Sequence, residues 1–449
     1  MGIIDAISTG IWNFGAPLLM IVGAFFTLGS GFYQLRRARS VCSLLRRQDG
    51  EAQAGLTPFQ ALSTALSGTL GTGNILGVSA ALAVGGPGTV FWMWVSAFLG
   101  MMTHFAEVAL SVHFRTKDER GQWMGGPMVY LERGLRCRPL ALLFSLFCVL
   151  ASLGMGNMAQ ANAIAAAGQS MFRLPVWVTA AALPLIMAPF ILGGIQRIGK
   201  LTEWLVPLMS LLYVLATLAI VALHLPQLPD AFAAIFSEAF TFRAAGGGAA
   251  YAAMRIGIAR GVFSNEAGLG ASAIAHASSS ADPLQQGKWG IMEIFIDTIL
   301  LCTLTALAQL VTGAQDIYAC FSGVFGLGGG WLLSLCLMLF AFATLLSWSY
   351  YGQQAASHLL GRRAAPAYRV LFLLALVVGA TQRFDLVWAV SDVFNALMAL
   401  PNLIGVLALS GTVFALIRQD RGLGADAPRR RATAKKGIAL RRNQKRRAA

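Results

Sequence analysis

The chain has 449 residues, 57% of them hydrophobic and 12% charged, and a formal net charge of +15. Apolar stretches of about 20 residues recur along it, which excludes a soluble domain with one core and points to a polytopic helical membrane protein. Cys42, Cys137, Cys148, Cys302, Cys320 and Cys336 form no CxxC pair, and His104, His113, His224, His276 and His358 are scattered in sequence, so no disulfide framework, zinc site or metalloenzyme is expected.

Hydropathy, punctuated by Gly, Pro and charge, predicts about eleven spans: 11–35, 57–84, 88–114, 139–169, 175–196, 202–224, 249–277, 289–312, 330–357, 368–382 and 386–417. Residues 1–10 lack the basic region of a cleavable signal peptide, so the first apolar run is expected to remain as an extra N-terminal helix, followed by a basic loop to residue 56.

The second predicted span is interrupted by Ser67-Gly68-Thr69-Leu70-Gly71-Thr72-Gly73-Asn74. Glycines lower the cost of leaving helical geometry, and hydrocarbon tolerates a broken helix only where protein or a polar cavity takes up the freed backbone groups. Freed carbonyls suit a hard cation such as sodium, and freed amides at a half-helix N-terminus suit a carboxylate. Close helix packing is the alternative reading of an isolated Gly-x-Gly.

Phe91-Trp92-Met93-Trp94, next in the chain, reads as packing or interfacial anchoring, as does Trp331. Glu107, Glu203, Glu293 and Asp297 read as helix-pairing or span-end acids.

The seventh predicted span breaks at Ser264-Asn265-Glu266-Ala267-Gly268. Asn265 offers an amide to a substrate's charged ends. For Glu266 three roles stay open: cation ligand, proton carrier, or structural partner of Arg260.

With the C-terminus inside, the six inner segments hold 29 of the 34 Lys and Arg residues, which predicts an outside N-terminus in a plasma (inner) membrane. The tail 418–449 has 12 basic residues and no aromatic interleaving, so a disordered anchor to anionic lipid is expected rather than nucleic acid. No obligate protein partner is implied.

Each broken span opens a block of five, 57–224 and 249–417, joined by an outer loop 225–248 and preceded by 1–56. Five is odd, so the blocks enter the membrane in opposite directions. That is an inverted repeat, whose site is expected where the broken helices meet.

The stretches Gly71 to Val78, Gly85 to Trp94, Gly125-Gly126-Pro127-Met128, Arg260 to Gly270, and Trp348-Ser349-Tyr350-Tyr351-Gly352 closely resemble the signature of the alanine or glycine:cation symporters, of the amino acid/polyamine/organocation superfamily. The resemblance runs from about 57 to 415. It implies an all-α, leucine-transporter-type fold of ten helices in two inverted blocks of five, here with one extra helix. It implies sodium-coupled import of alanine or glycine, with sodium as coupling ion and no other cofactor.

Carried onto this chain, the resemblance implies a substrate pocket of Gly71, Thr72, Gly73, Asn74, Ser264, Asn265 and Gly268. Gln160 would be a polar contact from the fourth span, and Trp348 the aromatic that closes a small pocket. It also implies a sodium site of the backbone of Ser67 and Leu70 with Thr344 and Ser347. Two features depart from the signature: the Arg-rich tail, and Leu76 where a small residue is expected.

Three functional classes follow. A sodium symporter leads, and a proton-coupled or exchange transporter using Glu266 is the alternative. A membrane enzyme or channel is the third, but no His, Cys or acidic residues form a catalytic constellation by spacing.

Overall fold

The computed structural model describes residues 2–44, 55–117, 121–240, 248–382 and 384–420. Among these, eight helices are long and apolar enough to cross a membrane, and a ninth crossing is a bent pair, Pro58–Thr69 with Thr72–Gly85, at 61°. One of the eight, Val176–Leu223, has 48 residues and a left-handed Gly194 (φ 71°) inside it. At about 1.5 Å per residue a continuous helix of that length would far exceed a hydrocarbon core of about 30 Å. Gly194 therefore joins two crossings. A further broken pair, Gly248–Asn265 and Ala273–His276, completes the eleven that hydropathy predicts.

In chain order the first span is Gly2–Gly29 and the second the bent pair; the third is Gly88–Phe114 and the fourth Arg138–Phe172. The fifth and sixth share Val176–Leu223, and the seventh is the second broken pair. Then come Pro283–Thr312, Leu327–Leu360, Ala364–Thr381 and Phe384–Ala408 as the eighth to eleventh. The connection 225–248 is not all loop: a helix, Leu228–Ala239, follows the sixth span. The basic tail from 421 onward lies outside the described residues.

Local chemistry explains the breaks. The second span starts on a capping box, with Thr57 Oγ1 accepting from Gln60 N–H at 3.1 Å and Pro58 in the first turn. It stops at Leu70, and Gly71 is extended (φ −124°, ψ −158°). In the seventh span Glu266, Gly268 and Gly270 have φ of 55°, 93° and 78°, so the helix cannot continue past Asn265. It resumes for only four residues, Ala273–His276.

Two backbone bonds tie the broken spans at one end: Leu56 N–H to Ser278 O and Ser280 N–H to Leu56 O, both 2.8 Å. The fourth and eighth spans each contain a π-helical stretch, Gly154–Ala159 and Phe295–Cys302, which turns Gln160 and Asp297 relative to a regular helix. The aromatic run after the second span packs as expected: Trp92 donates to Ala239 O at 3.1 Å, and Trp94 to Thr303 Oγ1 at 2.8 Å. Trp331 is half exposed at the start of its span.

Asp420, at the end of the helical residues 410–420, meets the short helix Tyr33–Arg36 that follows the first span, and the eighth span. Asp420 accepts from Tyr33 Oη at 2.9 Å and pairs with Arg37 at 3.0 Å and Lys288 at 3.1 Å.

Candidate functional site

The two breaks lie against each other in the core. Asn74, the last residue of the first break, donates from Nδ2 to Ser264 Oγ at 2.9 Å and to Asp297 Oδ1 at 2.6 Å. Its own Oδ1 accepts from Gly71 N–H at 3.0 Å, so one side chain both closes the bend and bridges to the second break. Ser264 donates to Asp297 Oδ2 at 2.9 Å, and Thr298 donates to the same oxygen at 2.8 Å. Thr305 takes up the Asn74 carbonyl at 2.9 Å. Every side chain in this group is fully or almost fully buried. A buried carboxylate is tolerated only when paired or hydrogen-bonded, and Asp297 has three donors.

Across the first break, Thr72 Oγ1 donates to Gln160 Oε1 at 3.4 Å, and Gln160 Nε2 donates to Met155 O at 3.2 Å. Gly71 sits under Thr344 and Gln160: a Cβ there would lie 2.9 Å from Thr344 Oγ1 and 3.7 Å from the Gln160 amide. A Cβ on Gly73 would meet Phe263 at 3.8 Å and Ser264 Cα at 4.0 Å. Trp348 donates from Nε1 to Gly68 O at 3.3 Å and lies flush on Gly156, where a Cβ would come within 2.4 Å of the tryptophan side chain.

Oxygens also converge between the second and ninth spans. Thr344 Oγ1 donates to Leu70 O at 3.4 Å, and Ser347 Oγ to Thr64 O at 2.5 Å; Ser67 and Ser347 are hydrogen-bonded through their hydroxyls. The contact shown for Ser67 is thus through its side chain, and Thr64 supplies the carbonyl that Ser347 meets. Thr64 O also lies 2.9 Å from Ser67 Oγ, so two hydroxyl protons are shared among three oxygen contacts around it.

One expected pocket residue reaches this group only through Thr298, and another lies away from it. Asn265 turns to the eighth span, donating to Thr298 Oγ1 at 3.0 Å while its Oδ1 accepts from Ala267 N–H at 3.0 Å. Gly268 faces the first span, where a Cβ would come within 2.0 Å of Leu19. The Arg260–Glu266 pair, one of three roles left open for Glu266, does not form: Arg260 lies over the Phe263 ring at 5.7 Å, and both carboxylate oxygens of Glu266 are buried without a hydrogen-bond partner.

Asp297, Thr298, Thr305 and Thr64 belong to the candidate site but were not singled out as ligands from sequence. An acid in the middle of an apolar run was the available signal for Asp297. The histidines are less scattered than their spacing suggests, because the fold brings His104 and His276 together with Glu107 and Glu293. Glu203, by contrast, simply accepts from Gln60 Nε2 at 3.0 Å.

Residues 1–422 match the model of the sodium:alanine symporter family. The chain is similar to the sodium/alanine symporter AgcS of Methanococcus maripaludis, 40% identical over 433 residues that cover 92% of this chain and 95% of that one. It is 32% identical to GlnT of Bacillus subtilis, a probable sodium/glutamine symporter, over 89% of this chain and 86% of that one. Among solved structures it resembles MhsT in complex with L-phenylalanine, with a TM-score of 0.54 at 14% identity, covering 79% of this chain and 89% of that one. At that identity the likeness establishes the fold, which is of the leucine-transporter type.

Proposed function

The chain belongs to the sodium:alanine symporter family, a family of membrane transporters rather than enzymes, and from that premise we propose that it imports alanine, and glycine with it, together with sodium by alternating access. The observation that carries this reading is the shared backbone of the first break. Leu70 O faces Thr344 on one side of the bend, and four residues on Asn74 faces Ser264 and Asp297 on the other. Ion and substrate would therefore order the same eight residues, 67–74, and each would lower the cost of binding the other.

The groups present fit their ligands. Leu70 O and Thr64 O with the hydroxyls of Thr344, Ser347 and Ser67 form an all-oxygen set of the kind a small hard cation takes. The substrate would lie at the break between Gly71, Asn74, Gln160 and Ser264. Thr344 crowds Gly71 and Trp348 crowds Gly156, which favours a small side chain. Asn265 and Gly268 would act by shaping the second break. The proposed division is 1–56, 57–224, 225–248, 249–417 and 418–449, with the N-terminus outside and the tail on anionic lipid inside.

One observation favours a second reading, proton coupling: Glu266 has two buried, unpartnered oxygens, and such a group takes up either a cation or a proton. Uptake in proteoliposomes separates the two. Alanine accumulation driven by a sodium gradient and lost in choline supports the symporter; accumulation driven by a pH gradient in the absence of sodium supports the alternative.

A further inference from the structure

His104, in the third span, lies between two carboxylates. Its Nδ1 is 2.9 Å from Glu107 Oε2 and its Nε2 is 2.9 Å from Glu293 Oε2. His276, at the end of the broken seventh span, places Nε2 2.7 Å from the same Glu293 oxygen. All four side chains are 0% exposed. At one end, Asn402 Nδ2 reaches Glu107 Oε1 and, at 2.8 Å, the Gly268 carbonyl in the second break. At the other, Gln286 Nε2 donates to His276 Nδ1 at 2.6 Å, and its Oε1 accepts from Ser279 at 2.7 Å.

Counting protons gives a constraint that does not depend on where each hydrogen sits. Every contact between a ring nitrogen and a carboxylate oxygen needs one proton between them, because two bare lone pairs repel. The quartet has three such contacts and so needs three protons. Two neutral imidazoles supply two. The third is extra, whether it rides on His104 as an imidazolium or on a carboxyl. It leaves the quartet with net charge −1. Turning the Gln286 amide over would let its oxygen accept from His276 Nδ1, admit a fourth proton and bring the net charge to zero, the state that low-polarity surroundings favour.

The surrounding charges act the same way. Glu266 of the seventh span and Asp297 of the eighth are acidic, and Tyr130 is held to the network through Asn402. The cations of the third and eighth spans are engaged elsewhere: Arg115, at the end of the third, donates to the carbonyls of Ala277 and Ala281, and Lys288 of the eighth pairs with Asp420.

Its position gives this network a mechanical role. The 268–276 half of the seventh span contains a single helical turn, so tertiary contacts rather than a helix ladder hold it. The Gly268 carbonyl and His276 stand near its two ends, and both belong to the network.

We propose that the His104–Glu107–Glu293–His276 quartet is a buried proton-binding site that clamps the 268–276 half of the broken seventh span to the third, eighth and eleventh spans. Removing the extra proton sets a bare imidazole nitrogen against a carboxylate oxygen and loosens the clamp.

The test uses the full-length protein in liposomes, with histidine 15N shifts and infrared carboxyl bands recorded near pH 8, above the ordinary histidine value of about 6.5. The expected result is a retained proton, seen either as an imidazolium lost in His104→Gln or as a protonated carboxyl lost in Glu107→Gln or Glu293→Gln. Absence of both signals overturns the proposal. So does a stoichiometric divalent metal that disappears in His276→Gln, which would make the quartet a metal site. These readouts do not involve transport, so their failure is distinct from failure of the symporter reading.

The clamp is read with pH equal on both faces, so that no proton gradient drives uptake. Sodium-driven alanine uptake should change with pH by roughly threefold to tenfold per unit through the transition at which the extra proton is lost, the range one titrating group allows. The neutral double variant His104→Gln/Glu293→Gln should be flat. A flat wild-type profile, or an unchanged profile in the double variant, contradicts control of this segment by the proton.

Discussion

Asn74 of the second span donates to Asp297 of the eighth at 2.6 Å, although 223 residues separate them in sequence. Because Asn74 also accepts from Gly71 N–H, this one contact fixes the first helix break against the second block of the fold. Ser264 joins the same carboxylate from the second break, so Asp297 is the group on which both interruptions rest.

Asn74→Ala should reduce sodium-driven alanine uptake to background while folded protein persists. It leaves an Asp297 oxygen and the Gly71 amide unpaired, each costing about 1–3 kcal/mol when buried. Asp297→Asn keeps the shape but loses the acceptor for one donor, and should also inactivate. Size-exclusion profiles in detergent, compared with uptake, separate loss of function from loss of fold.

Gly71→Ala should impair both ion and substrate dependence, since the new methyl would lie 2.9 Å from Thr344 Oγ1. Gly77→Ala is the matched control. It lies in the continuing helix with nothing within 4 Å of its Cβ position, and alanine there should be neutral or stabilising by about 0.5–1 kcal/mol. Concentration dependence of uptake for sodium and alanine in both variants checks the contrast.

Thr344→Val keeps the volume of the side chain but removes the hydroxyl that faces Leu70 O. The sodium concentration for half-maximal uptake should rise about tenfold, which corresponds to about 1.4 kcal/mol. Alanine affinity at saturating sodium should move less. Equal shifts in both would place Thr344 in the substrate pocket instead.

At the Asp420 cluster, burial opposes ionisation, yet hydrogen bonds from Lys288 and Tyr33 and the charges of Lys288 and Arg37 outweigh it and hold the carboxyl below its ordinary value. A depressed carboxyl stabilises the fold above the unfolded value near 3.9, and the contribution is lost as pH falls through the folded value. Asp420→Asn should therefore lower thermal stability at neutral pH, and the gap from wild type should close in acid. A partly exposed pair of this kind contributes about 1 kcal/mol or less, so the expected shift is small. A gap that widens in acid would contradict the assignment.

Helix breaks were legible because glycine clusters inside apolar runs have few other uses, and Asn74 and Ser264 sit directly beside them. The number of crossings was legible from hydropathy even at 176–223, where one unbroken helical run hides two spans joined at Gly194. Side-chain direction after a left-handed residue was not. Glu266 at φ 55° reverses the local chain, which sends Gly268 to Leu19, while Asn265, at the helix end just before it, reaches the Asp297 group only through Thr298. The His104 quartet was hidden for another reason: its members come from three spans, 189 residues separate His104 from Glu293, and no spacing rule links them.

Sodium-gradient-driven uptake of alanine into proteoliposomes, for wild type and Asn74→Ala side by side, tests the central claim most directly. Coupling of ion and substrate through residues 67–74 predicts saturable accumulation that collapses when choline replaces sodium and is absent in the variant. Accumulation that persists in choline, or an Asn74→Ala protein that transports normally, would contradict it.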